Sequence, residues 1–186
     1  HLTPNGKILM AGPLKTMRWL DFNGAGSAVD IGFRTPDANR HRKLGASVQY
    51  LPGKILFTGG RDDRYSPSVW NSAIIIDATS GTPVTTATGN MNYARAFQNL
   101  VMLPTGEVMV LGGNTSGIKF SDSGGVTVPE IWNPSTGLWR TVAPQAVPRG
   151  YHVAAVLLRD GRVMISGGGL CGCSADHADS QIYSPT

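Results

Sequence analysis

Charge is scarce in this chain. Of its 186 residues only 15% are Asp, Glu, Lys or Arg, while 24 are glycine and 12 are proline. That balance suits an all-β protein with many tight turns better than a helical one. Amphipathic helical patterning is missing too, since no long stretch spaces apolar residues at i, i+3, i+4 and i+7. No apolar run reaches the roughly 18 residues that a spanning helix needs, so no membrane partner is expected. Cysteine is limited to Cys171 and Cys173, both in one loop. The sequence starts at His1 with no Met, no basic leader and no apolar signal segment, so its start gives no compartment.

The basic excess is thin. Formal net charge is +4, and the densest cluster is Arg40-His41-Arg42-Lys43. That run is short, carries no interleaved aromatics, and reads as a solvated loop rather than a nucleic-acid face. Asn114-Thr115-Ser116 fits a glycosylation acceptor, a slight pointer to secretion.

What the sequence does contain is a repeat. Asn5-Gly6-Lys7-Ile8-Leu9-Met10-Ala11-Gly12 resembles Pro52-Gly53-Lys54-Ile55-Leu56-Phe57-Thr58-Gly59-Gly60. Both resemble Thr105-Gly106-Glu107-Val108-Met109-Val110-Leu111-Gly112-Gly113 and Asp160-Gly161-Arg162-Val163-Met164-Ile165-Ser166-Gly167-Gly168. Each segment has a turn glycine, a charged residue, a short apolar strand and small residues at its end. A period near ~50 residues with a closing glycine pair is the kelch signature of β-propeller blades. The turn needs a residue at ease with positive φ. The strand is nearly continuously apolar, as burial between neighbouring blades requires, and the closing glycines allow backbones to approach.

Reading outward from each turn predicts four strands per blade. In the third unit these are Phe97–Leu103, Glu107–Leu111, Glu130–Trp132 and Leu138–Val142, with Trp132 and Trp139 packing between blades. The chain opens at a second strand and closes after Ile182-Tyr183, a third strand. The expectation is one domain over residues 1–186: an all-β, kelch-type partial propeller of about four blades, two of them incomplete. A closed propeller completes its first and last strands in one blade, so the segment is expected to be an excerpt of a longer, seven-bladed protein.

The last unit carries the most information. Pro148-Arg149-Gly150-Tyr151-His152 leads into Leu157-Leu158-Arg159-Asp160-Gly161-Arg162-Val163. Gly167-Gly168-Gly169-Leu170-Cys171-Gly172-Cys173 and His177-Ala178-Asp179-Ser180-Gln181-Ile182-Tyr183 follow. Imidazole nitrogen and phenolate oxygen are suitable donors for Cu(II). Adjacent strand residues point to opposite faces, so both reach one metal only if the backbone turns, which Gly150 permits. The alternative is a packed aromatic beside a hydrogen-bonded histidine. The ordered run resembles the copper-binding blade of the galactose oxidase and glyoxal oxidase group of copper radical oxidases, most closely from Asn92 to Pro185.

That resemblance implies His152 as an equatorial copper ligand and Tyr151 as the weak axial ligand that takes the substrate hydroxyl proton. It implies a secreted, monomeric enzyme that oxidises primary alcohols, carbohydrates such as galactose, or aldehydes, with O2 reduced to H2O2. Phe97 and Phe120 match aromatic positions near the copper, where their rings either line the substrate or simply pack. Tyr65, in Gly59-Gly60-Arg61-Asp62-Asp63-Arg64-Tyr65, sits where the family has a substrate-side Tyr-Gln pair, but the glutamine is absent. The family also uses a second histidine from a later β-sandwich domain and a tyrosine cross-linked to cysteine, the radical cofactor, from an earlier blade. Neither is found here, so this segment alone is expected to be inactive. Cys171 and Cys173 fall where the family has a disulfide with two intervening residues. With only one here, a bridge, free thiols and metal ligation with His177 remain the readings. The competing function class is a non-catalytic kelch propeller that binds carbohydrate or protein through its loops.

Overall fold

The turn glycines Gly6, Gly53, Gly106 and Gly161 take φ of 77, 74, 82 and 85°; the last three reverse the chain between a first and a second strand, and Gly6 precedes the strand that opens the first sheet. The computed structural model describes residues 1–34, 40–63, 66 and 68–184. Among them there is no helix, only four antiparallel sheets. The first holds β1 (Ile8–Met10), β2 (Thr16–Asp21) and β3 (Ser27–Phe33). The second holds β4 (Ala46–Leu51), β5 (Lys54–Thr58), β6 (Ala73–Asp77) and β7 (Val84–Ala87). The third holds β8 (Asn99–Met102), β9 (Val108–Leu111), β10 (Glu130–Trp132) and β11 (Trp139–Thr141). The last holds β12 (Val153–Leu157), β13 (Val163–Gly167) and β14 (Ser180–Tyr183). Every sheet is a meander in chain order, the form of a β-propeller blade.

The apolar second strands have a specific reason for lacking polar alternation. Met109 and Leu111 of β9 pack with Val163 and Ile165 of the following blade. Val108, between them in direction, packs with Tyr50 and Leu56 of the preceding blade. One strand therefore feeds two cores, and its two faces are both dry. Burying each such side chain contributes about 1.5–3 kcal/mol. β5 does the same, with Ile55 and Phe57 turned to the first blade and Leu56 to the third.

The tryptophans stitch blades. Trp132 Nε1 donates to Thr88 Oγ1 at 3.1 Å and Trp139 Nε1 to Gly89 O at 2.7 Å, both in the preceding unit. The closing glycines are stitched through their backbones. Gly113 N donates to Arg149 O at 2.8 Å and Gly60 N to Arg95 O at 2.8 Å. A Cβ on Gly112 would lie 2.6 Å from Arg149 O, too close for any side chain.

Two expectations are corrected. The basic run is solvated only in part: Arg40 is exposed, but Arg42 is buried and donates to Gly59 O at 2.9 Å and Ser72 O at 2.8 Å. Its guanidinium adds to a closing turn in which Ser72 O also accepts the Gly59 N–H at 3.1 Å. The glycosylation acceptor is inaccessible, because Asn114 is fully buried and its amide donates to Ile118 O at 2.8 Å.

One surface pair gives a pH-dependent test. Lys54 Nζ lies 2.7 Å from Asp77 Oδ2. That bond, with a second from the Thr79 hydroxyl, holds the Asp77 carboxyl down at about 2. A depressed folded-state pKa stabilises above the ordinary carboxylate range, and the benefit fades as pH falls from about 4 toward 2. Asp77→Asn is therefore expected to lower the melting temperature by a few degrees at pH 7 and not at pH 2. Equal losses at both pH values would show that the charge contributes nothing. Exposure keeps the effect small.

Candidate metal and substrate site

The site is assembled where the third and fourth blades begin. Three arginines, one per blade, anchor these beginnings. Arg42, Arg95 and Arg149 each donate from Nη1 to the first closing carbonyl of their own blade, Gly59, Gly112 and Gly167, all at 2.9 Å. Arg95 and Glu130 form a fully buried ion pair at 3.0 Å. Arg149 pairs with Asp179 at 2.7 Å. This network was not recognised from the sequence, although the arginines recur at blade spacing.

Just past each anchor the chain makes one left-handed residue: φ is 67° at Phe97 and 62° at His152. At His152 this defines the site. Tyr151 and His152 would point apart in a regular strand, but the left-handed step swings the imidazole alongside the phenol, with centroids 3.8 Å apart and planes inclined at 31°. The left-handed residue is thus His152 itself and not Gly150, whose φ lies outside the left-handed region. Histidine is among the residues that tolerate this region best.

Aromatic rings close around the pair. Phe97 and Phe120 approach Tyr151 edge-on at 5.3 and 5.1 Å, and Phe120 lies 5.7 Å from His152. Lys119 Nζ sits over the Tyr151 ring, 4.8 Å from its centroid. Of the residues singled out in the sequence, Tyr151, His152, Phe97 and Phe120 come together; Tyr65 lies outside the described residues. Lys119 was missed, because a single loop lysine carries no periodic signal.

The loop after β13 supports the histidine. His152 Nδ1 is 2.9 Å from Gly169 O. A carbonyl only accepts, so Nδ1 carries the proton and Nε2 presents a lone pair. Gly169 N donates back to Tyr151 O at 3.0 Å. Cys171 and Cys173 are joined, with Cα atoms 5.2 Å apart. Their loop is tied by Asp176, which accepts N–H groups of Cys171 at 2.8 Å and Gly172 at 2.6 Å and is held below the usual carboxylate range by them. With both sulfurs bonded to each other, no thiolate is left for metal ligation. His177 turns instead to Asp122, at 3.0 Å.

The donor set fits copper chemically. An imidazole with its far nitrogen fixed by a carbonyl is the usual arrangement of a ligating histidine, and a phenol oxygen beside it suits Cu(II).

Residues 46–173 match the family model described as the glyoxal oxidase N-terminus. The chain belongs to this family. It is 38% identical to galactose oxidase of Gibberella zeae, an alignment covering 97% of this chain and 28% of that protein. It is also 38% identical to aldehyde oxidase GLOX of Vitis pseudoreticulata, over 90% of this chain and 35% of that protein. Among solved structures it superposes on a fungal alcohol oxidase of the AA5 family in complex with copper, with a TM-score of 0.90 and 36% identity. That match covers 97% of this chain and 38% of the other. The chain thus spans about a third of the length of these relatives.

Proposed function

We propose that these blades form part of a secreted copper radical oxidase that converts a primary alcohol or aldehyde to the next oxidation level. For an alcohol the balance is RCH2OH + O2 → RCHO + H2O2: the carbon gives up two electrons and two protons, and dioxygen takes them. The observation that carries this reading is the side-by-side Tyr151 and His152 pair, with Nδ1 of the histidine committed to Gly169.

His152 Nε2 would hold the copper, and Tyr151 Oη would be a weak ligand that receives the substrate hydroxyl proton. Bound copper supplies one-electron chemistry and polarises the substrate oxygen. Phe97 and Phe120 present apolar rings beside the reacting position, where they stack on a sugar face or exclude water. A tyrosine cross-linked to cysteine is expected to come from elsewhere in the full-length protein, since both cysteines here are paired with each other. That disulfide also supports secretion, because such bonds persist in oxidising compartments.

The test is turnover. Copper-loaded full-length protein is expected to release H2O2 from primary alcohols, galactose or small aldehydes, and copper-free protein is not. A full-length protein that bound no copper and released no H2O2 across that panel would overturn the reading in favour of a binding propeller.

A further inference from the structure

The loop that carries Phe120 is held from several sides. Asn114, fully buried, accepts the Gly117 N–H at 2.6 Å and donates to Ile118 O at 2.8 Å. Thr115 N donates to Gly124 O at 2.8 Å. Arg61, 4% exposed, reaches under the loop and donates to Gly117 O at 2.7 Å. Phe120 then takes a left-handed φ of 55°. Lys119 and Phe120 are therefore presented by a braced turn, and the ammonium over Tyr151 is a placed charge.

Among the described residues no carboxylate lies within ion-pair distance of Lys119 or of Arg61. The nearest acid along the loop, Asp122, is engaged by His177 through both oxygens, at 3.0 and 3.1 Å. Lys119 is exposed, and its ammonium stands over the ring around which Phe97 and Phe120 gather; a cation beside such apolar walls focuses its field into the opening.

We propose that Lys119, backed by Arg61, is a specificity-determining residue that favours negatively charged substrates: primary alcohols or aldehydes bearing a carboxylate on the reacting carbon or on the carbon next to it. The inference rests on the reading of Tyr151 and His152 as the reacting centre. Lys119 Nζ lies 4.8 Å from the centroid of the Tyr151 ring, so a carboxylate close to a reacting oxygen at Tyr151 Oη would lie within the reach of its field. A neutral substrate gains nothing from that ammonium.

The experiment uses the copper-loaded full-length protein with matched substrates, glyoxylate against glycolaldehyde and glycerate against glycerol. The readout is the ratio of kcat/KM for the charged member to that for the neutral one. Lys119→Met is expected to lower this ratio about tenfold through the loss of one charge contact. Lys119→Glu should lower it further and Lys119→Arg should restore it. In the unsubstituted protein the ratio should also fall several-fold between 0.05 and 0.5 M salt, as screening shortens the reach of the field (~14 Å to ~4 Å). Ratios unchanged in Lys119→Met and Lys119→Glu, with turnover intact, would overturn this inference while leaving the oxidase reading standing. Absence of turnover and copper in the unsubstituted protein would overturn the oxidase reading, and this one with it.

Discussion

Arg95→Met in the full-length protein is expected to destabilise the propeller by about 3–5 kcal/mol, the usual result of breaking a buried ion pair by removing one partner. Glu130 would be left without its cation in a fully buried position. It would keep only the N–H groups of Asn92 at 2.6 Å and Tyr93 at 3.2 Å and the Asn92 amide at 2.8 Å. The carbonyls of Gly112 and Val128 would lose a donor as well. Burial draws the Arg95 pKa down and Glu130 opposes that effect, so the carboxylate offsets part of the cost of burying the guanidinium. The double variant Arg95→Met/Glu130→Met should lose much less than the sum of the single losses, because no charge is then stranded. Denaturant titration reads both quantities. A loss below about 1 kcal/mol for Arg95→Met would show that the pair does not hold the blade.

His152→Ala is expected to remove tight copper binding from the full-length protein. Losing even a residue that supports a metal ligand typically costs 10–100-fold in affinity, and losing the ligand should cost at least ~100-fold. The tetragonal Cu(II) EPR signal and H2O2 release from primary alcohols should disappear together. His41→Gln is the matched control, since His41 accepts the Lys15 N–H at 3.1 Å in the second blade and has no place near Tyr151. Normal copper and turnover in His152→Ala would refute the ligand assignment. The isolated blades should bind copper weakly even with His152 present, because two recognisable donors cannot supply the four that a tetragonal site needs.

The fold was readable because propeller blades write their geometry into periodic residues. Each turn needs a left-handed glycine and each second strand is dry on both faces, so both leave a mark that recurs. Glu130–Trp132 was predicted to the residue. The first strand of that blade was read two residues too long at its start, at Phe97, whose left-handed φ breaks the extended chain. The aromatic cluster was half readable. Tyr151 and His152 stood out as a pair, yet nothing in their order says that the histidine rather than Gly150 makes the turn. The arginine anchors escaped notice because their polar partners differ from blade to blade: Ser72, Glu130 and Asp179. A recurrent cation with a changing partner looks like ordinary surface charge until burial is known.

The double duty of β9 has a thermodynamic consequence. Val108 and Met109 are adjacent in the chain but belong to different interfaces. A cavity opened at Met109 weakens the junction toward β13, and one opened at Val108 weakens the junction toward β5. Stability in such an array is a sum of blade energies and nearest-neighbour couplings, as in a one-dimensional chain of interacting units. The blade that carries Tyr151 and His152 therefore draws part of its rigidity from a strand one blade away, and a substitution there can loosen both rings without touching either.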